Sequence, residues 1–189
     1  KQENSSLEDL CHVINQDAAI TARLMQVSNS AMFLVGAPIN SVDTAIKRLG
    51  RDVIQNIVTG MAMEQLFNAS TELTSRKLKE AWQHATEVAA MAADYSHKFP
   101  HLKTDLAMLS GLLHNIGILP ILTMAEQYPE LLEDEARLDT LLAEAHVCIG
   151  VTILKKWNFA SAVIEAVEHH EDYDYNSGAK ATYADLVIV

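Results

Sequence analysis

Cysteine and positive charge are both scarce in this chain, and each shortage excludes a class of function. Only two cysteines occur, Cys11 and Cys148, far apart and without CxxC spacing. A zinc knuckle or a disulfide framework cannot be built from them, and two buried thiols in a reducing, cytoplasmic compartment are the expectation. Lys and Arg number 14 against 25 Asp and Glu, for a formal net charge of −11. A general nucleic-acid binder is thereby excluded, because such binding draws most of its affinity from cations set against phosphates. No stretch alternates apolar and polar residues long enough to make a strand, and no low-complexity tract, repeat or signal peptide stands out.

What is present is helical periodicity over 189 residues that are 49% apolar, enough to bury a core in one domain of two packed lobes. The longest apolar run, Leu106 to Ala125, carries His114, Asn115 and Pro120 in its middle. Each would be costly in lipid, so a pair of core helices is expected there and no membrane span. Lys1 stands where a start methionine would, and the chain stops in the apolar run Leu186 to Val189. The numbered chain is therefore expected to be part of a longer product.

Ser5, with Glu8 three residues on, and Asp17 are candidate N-caps, the second for a helix with Ile20, Leu24, Val27 and Ala31 on one face. Ser41 opens a helix with Val42, Ala45, Ile46 and Leu49 at i, i+3, i+4 and i+7, and Gly50 closes it. Val53, Ile57, Met61 and Gln65 mark the next. The polar stretch Asn68 to Ser75 separates an N-terminal lobe of short helices, 1–70, from a second lobe, 71–189. A long helix follows from about Ser75 to Lys98 with Leu78, Trp82, Ala85, Ala89 and Ala92 inward. Further helices are expected near Asp105–Asn115, Leu119–Gln127, Asp139–Trp157, Ala160–His170 and from Ala181 onward. The fold class is all-α. The first lobe is expected to pack against the long helix near His84, leaving a groove.

Eight histidines occur, five of them on expected helices of the second lobe: His84, His114, His146, His169 and His170. His84 lies between Ala81 and Val88 at the core edge of its helix, and His146 shares an apolar face with Leu142 and Ile149. His114 shares a stripe with Ala107, Ser110 and Gly111, small residues that admit a neighbouring helix closely. Imidazoles converging from several helices, with a carboxylate, are what a metal site in a helical bundle needs. The competing reading is that each is a core histidine with its own hydrogen-bond partner. His12, His97 and His101 lie near loops, and Met61, Met63, Met91, Met108 and Met124 read as core fillers.

The segment Gly111-Leu-Leu-His-Asn-Ile-Gly117 resembles the HD superfamily signature, in which a leucine-rich helix ends in a His-Asp doublet followed by Ile-Gly. His84 in Trp82-Gln83-His84 matches the superfamily's first histidine, and Tyr183-Ala184-Asp185 resembles its last aspartate. His146 and the run His169-His170-Glu171 resemble the extra histidines of the HD-GYP branch, whose members hydrolyse cyclic dinucleotides with two or more metals. The first lobe is similar to the HD-related output domain, HDOD. The similarity rests on Asp17-Ala-Ala-Ile-Thr-Ala-Arg-Leu24, Ser28-Asn29-Ser30-Ala31, Ile39 and Ala45-Ile46-Lys47-Arg48-Leu49-Gly50. This resemblance implies an HD-like helical domain associated with bacterial signal transduction, often fused to other modules.

Two departures bear on catalysis. The doublet reads His114-Asn115, so a neutral carboxamide stands where the resemblance implies an anionic, bridging ligand, and Asp185 is the only matched carboxylate. Ile118 stands where active members often carry a phosphate-contacting lysine, and the glycine-tyrosine-proline signature is matched only loosely by Glu171 to Gly178. His84, His114 and Asp185 are thus the leading metal candidates, with His146, His169 and His170 behind them and Asn115 the degenerate position. His84, His114, Asn115 and Asp185 are expected in one pocket. The ion would be divalent manganese, iron, zinc or nickel. The expected role is a signalling output or adaptor domain that binds a protein partner or a small nucleotide-like ligand. The alternative is a metal-dependent phosphohydrolase acting on a nucleotide or cyclic dinucleotide.

Overall fold

The computed structural model describes residues 11, 14–16, 18–29, 38–65 and 69–188. The candidate caps Ser5 and Asp17, together with His12, Ser30 and Ala31, lie outside them. Among the described residues every regular element is an α-helix. The chain divides into two compact units, Lys1–Met63 and Glu64–Val189.

The first unit contains α1 (Ala18–Ser28), α2 (Val42–Leu49) and most of α3 (Arg51–Gln65). Ser41 caps α2 by accepting a hydrogen bond from the Thr44 N–H at 3.1 Å, and Gly50 ends it at φ 85°, a conformation that costs glycine least. The core takes one face from each helix: Leu24, then Val42, Ala45 and Ile46, then Ile54, Ile57 and Met61. Each fully buried aliphatic chain among them contributes about 1.5–3 kcal/mol relative to exposure. Asn29 links two segments of this unit. Its carboxamide donates to the carbonyls of Met25 at 2.8 Å and Ile39 at 2.7 Å, and accepts from the Ile39 N–H at 2.7 Å. One side chain thereby ties the end of α1 to the backbone at Ile39, shortly before α2.

The second unit is built on α4 (Glu72–Ser96) and α5 (Thr104–Leu113), followed by α6 (Ile118–Ala125), α7 (Pro129–Leu132), α8 (Glu135–Lys156), α9 (Ser161–His169) and α10 (Ala184–Val187). Helix α4 starts earlier than its periodicity suggests, because the Thr71 hydroxyl caps it by accepting from the Thr74 N–H at 3.2 Å. Helix α8 likewise begins at Glu135, since Asp134 accepts from the Arg137 N–H at 3.1 Å within an acidic run that hides the cap. One part of the core joins Val88 and Ala92 of α4, Ala107 of α5, Ala166 of α9, and Tyr183 and Val187 at the C-terminal end. The Tyr183 hydroxyl also accepts from the Lys103 N–H at 2.9 Å, tying that end to the α4–α5 connection. A second part gathers Leu122, Ala125 and Leu138.

The stretch Thr104–Ala125 has the length and apolarity to cross a membrane, but most of it is buried within the unit, and a turn at 114–117 breaks it into α5 and α6. Three expectations fail on side-chain direction. Cys148 is exposed, not buried, because it lies on the face of α8 opposite His146, Gly150 and Leu154, and Cys11 is only half-buried. Met91 and Met124, expected in the core, are 47% and 59% exposed. Met91 lies off the Ala85–Ala89–Ala92 stripe, and Met124 points away from Leu122 and Ala125. Met61 and Met108 are buried as expected.

Candidate metal centre

Two glycines set the spacing of the helices that carry the histidines. A Cβ at Gly111 would lie 2.5 Å from the Ala89 Cα, so α5 approaches α4 backbone to backbone. A Cβ at Gly117 would lie 1.9 Å from the His146 carbonyl oxygen, so the turn after α5 rests directly on α8. His114, between these contacts, is held between the helices of His84 and His146. The small-residue stripe of α5 serves this close approach.

Four imidazoles consequently form an edge-to-face chain. Ring centroids are 5.1 Å apart for His84 and His114, 5.0 Å for His114 and His170, and 5.2 Å for His170 and His146. His114, His146 and His170 are buried, and His84 is half-buried. In all three buried rings Nδ1 faces a backbone carbonyl: Gly111 at 2.6 Å from His114, Leu142 at 2.8 Å from His146, and Val167 at 2.8 Å from His170. A carbonyl oxygen only accepts, so each Nδ1 carries the proton and each neutral ring presents a lone pair at Nε2. This is the orientation that backbone partners impose on metal-ligating histidines.

The Nε2 atoms of the three rings are differently placed. Those of His146 and His170 face each other at 3.1 Å, and that of His114 is buried with no hydrogen-bond partner among the described residues. Burial lowers the His114 pKa to about 3, against the upward pull of the Gly111 carbonyl, and the neighbouring imidazoles add to the lowering. Burial lowers His170 also, partly opposed by the Val167 carbonyl. His114 and His170 are therefore neutral donors near neutral pH, the form a metal requires.

Glu171 supplies a carboxylate, with Oε1 3.6 Å from His146 Nε2. His146, His170 and Glu171 offer ligand atoms all within 4.8 Å of one another. Two ligands on one ion, at bond lengths of about 2.0–2.1 Å, stand roughly 2.9–3.4 Å apart. The facing Nε2 pair lies within that span at 3.1 Å and the Glu171 oxygen just outside it at 3.6 Å, and two imidazoles with one carboxylate are donor types that suit a divalent ion of the zinc, iron, manganese or nickel kind.

The other candidates have different surroundings. Asp185 Oδ2 accepts from Ser177 Oγ and the Thr182 N–H, each at 2.6 Å, and from Thr182 Oγ1 at 3.2 Å. Partial burial pushes its pKa up, but these donors outweigh it and hold the carboxyl below its usual value. It caps the turn that opens α10. His169 stacks on Tyr175 with centroids 4.2 Å apart and has its Nδ1 3.6 Å from Asp172, outside the four-ring chain. Asn115 follows His114 in the turn and is half-buried, and its carbonyl accepts from the Ile118 N–H at 3.0 Å. Sequence reasoning missed Glu171 as a donor. The available signal was its position directly after His170, where the end of α9 swings it toward α8.

An all-helical unit whose histidines converge from α4, α5, α8 and the end of α9 is of the HD-like class. The chain belongs to the HDOD domain family, which it matches over residues 1–173. A solved candidate metal-dependent phosphohydrolase from Shewanella amazonensis SB2B is 36% identical, with a TM-score of 0.80 over 96% of this chain and 67% of that one. A candidate signal transduction protein from Marinobacter aquaeolei VT8 shares the fold at 22% identity, with a TM-score of 0.61 over 95% of this chain and 42% of that one. An uncharacterised protein of Treponema pallidum is 27% identical over 88% of this chain, which spans 34% of that relative's length.

Proposed function

We propose that this chain is a signalling output or adaptor domain that binds a protein partner or a small nucleotide-like ligand, with a metal centre too poor in carboxylates for two-metal hydrolysis. The observation that carries this reading is Asn115. It directly follows the buried, correctly presented His114, at the position where a two-metal centre needs a bridging anion. A carboxamide brings one neutral oxygen and cannot balance two dications. The engagement of Asp185 Oδ2 by Ser177 and Thr182 is consistent with this. An exposed thiol at Cys148 suits a cytoplasmic setting.

The second reading, a metal-dependent phosphohydrolase acting on a nucleotide or cyclic dinucleotide, is favoured by the unpartnered Nε2 of His114 and by the Shewanella relative. There a bound ion would supply Lewis-acid chemistry, and the chain's part would be to hold it through neutral imidazoles. The deciding assay is hydrolysis of bis(p-nitrophenyl) phosphate and of cyclic dinucleotides with added manganese or iron, comparing the native chain with His114→Ala. The output-domain reading expects no turnover that depends on His114. Turnover abolished by His114→Ala would overturn it.

A further inference from the structure

We infer that this chain holds a single divalent cation on His146, His170 and Glu171, with Glu171 supplying the negative charge that Asn115 does not. The inference deepens the reading above, since it names what the carboxylate-poor centre binds.

It begins with an electrostatic conflict. With both Nδ1 protons given to the Leu142 and Val167 carbonyls, His146 and His170 aim two lone pairs at each other across 3.1 Å. Neutral imidazoles in that pose repel, and the arrangement is relieved only by something positive between or beside the two nitrogens. The Glu171 carboxylate lies at the same place, 3.6 Å from His146 Nε2. Two neutral lone pairs and one anion converging within 4.8 Å make a cation site rather than an anion site.

The position of Glu171 suits a ligand. Its side chain is 54% exposed while that of His146 is 4% exposed, so the carboxylate stands at the mouth of a site whose imidazoles form the floor. An ion can enter past it, and the carboxylate keeps part of its hydration until the ion arrives. Farther in, the buried Nε2 of His114 has no partner among the described residues, and its ring lies 5.0 Å from that of His170, next to the site. The doublet position therefore sets a neutral imidazole beside this centre and no charge. Because Glu171 belongs to the turn beyond α9, its replacement leaves the packing of α5 against α4 and α8 untouched.

The test uses the whole chain, stripped with chelator and titrated with cobalt(II), following visible absorption and stoichiometry, with zinc titration calorimetry in parallel. The native chain is expected to take up one equivalent with the intense visible bands of a low-coordinate site. Glu171→Gln should weaken binding tenfold or more while the circular dichroism and melting temperature of the metal-free chain stay unchanged. Glu171→Asp should recover part of the loss. Binding by Glu171→Gln as tight as native would overturn the assignment of Glu171. No uptake by the native chain at millimolar cobalt or zinc would overturn the site, and would mean that the two imidazoles share a proton instead. Neither result touches the output-domain reading, which falls only on His114-dependent phosphoester turnover.

Discussion

Glu126→Gln tests the anchor at the start of α4. Glu126, just past α6, accepts from the Ser70 N–H at 2.5 Å, Ser70 Oγ at 2.6 Å and the Thr71 N–H at 3.1 Å, and also from the Thr74 hydroxyl. Two oxygens thus satisfy donors at the N-terminus of the long helix, where negative charge is also favoured by the helix dipole. Desolvation pushes the Glu126 pKa up, but these hydrogen bonds more than offset it and lower the value from 4.5 to about 2. Taken at face value that difference is roughly 3 kcal/mol, and screening of a partly exposed group reduces it to about 1–2 kcal/mol. The folded-state pKa is depressed, so the contribution is complete above pH 4.5 and is lost as the pH falls toward 2. Glutamine keeps one acceptor and loses the charge. Urea unfolding followed by fluorescence suits the measurement, because Trp82 and Trp157, the only two tryptophans, lie in the same unit as Glu126. The native chain should exceed the mutant by about 1–2 kcal/mol at pH 7, and the gap should shrink between pH 4.5 and 3. A gap of zero at pH 7, or one unchanged down to pH 3, would refute the reasoning.

Gly117→Ala should destabilise the chain by about 3 kcal/mol or more, read as a lowered urea midpoint, since its Cβ would sit 1.9 Å from the backbone oxygen of His146 and only a shift of α8 relieves it. Gly50→Ala has open space around its Cβ but keeps φ 85°, so its cost should be about 1 kcal/mol by the same measurement. Asn115→Asp returns a carboxylate beside His114 and should raise metal uptake above the native level in calorimetric titration with manganese or zinc. The gain should vanish when His114→Ala is added, and an unchanged isotherm would show that Asn115 does not limit the site. Thr71→Ala removes the α4 cap and should cost about 1 kcal/mol, seen as a lower melting temperature.

Much of the fold was legible because it depends on local rules. The α2 helix announced itself by Ser41, its i, i+3, i+4 spacing and Gly50, and all three do in the structure what their chemistry favours. Where a cap was masked by neighbouring polar residues, as at Thr71 and Asp134, the boundary moved by several residues. Periodicity also could not say which methionine faces inward. Met91 and Met124 match an apolar pattern as well as Met61 does, and only the position of the neighbouring helices leaves them exposed.

By itself the sequence determined the all-helical class, the HDOD family resemblance, the identities of the histidines and the neutral residue after His114, because periodicity, caps and motif residues are local and additive. The tertiary structure alone decided which donors meet. It joined His84, His114, His170 and His146 in one chain of rings, gave Asp185 to Ser177 and Thr182, and brought Glu171 to His146. Donor convergence depends on helix spacing to within an ångström, set here by Gly111 and Gly117 against backbone far away in the chain, and linear spacing does not encode that distance.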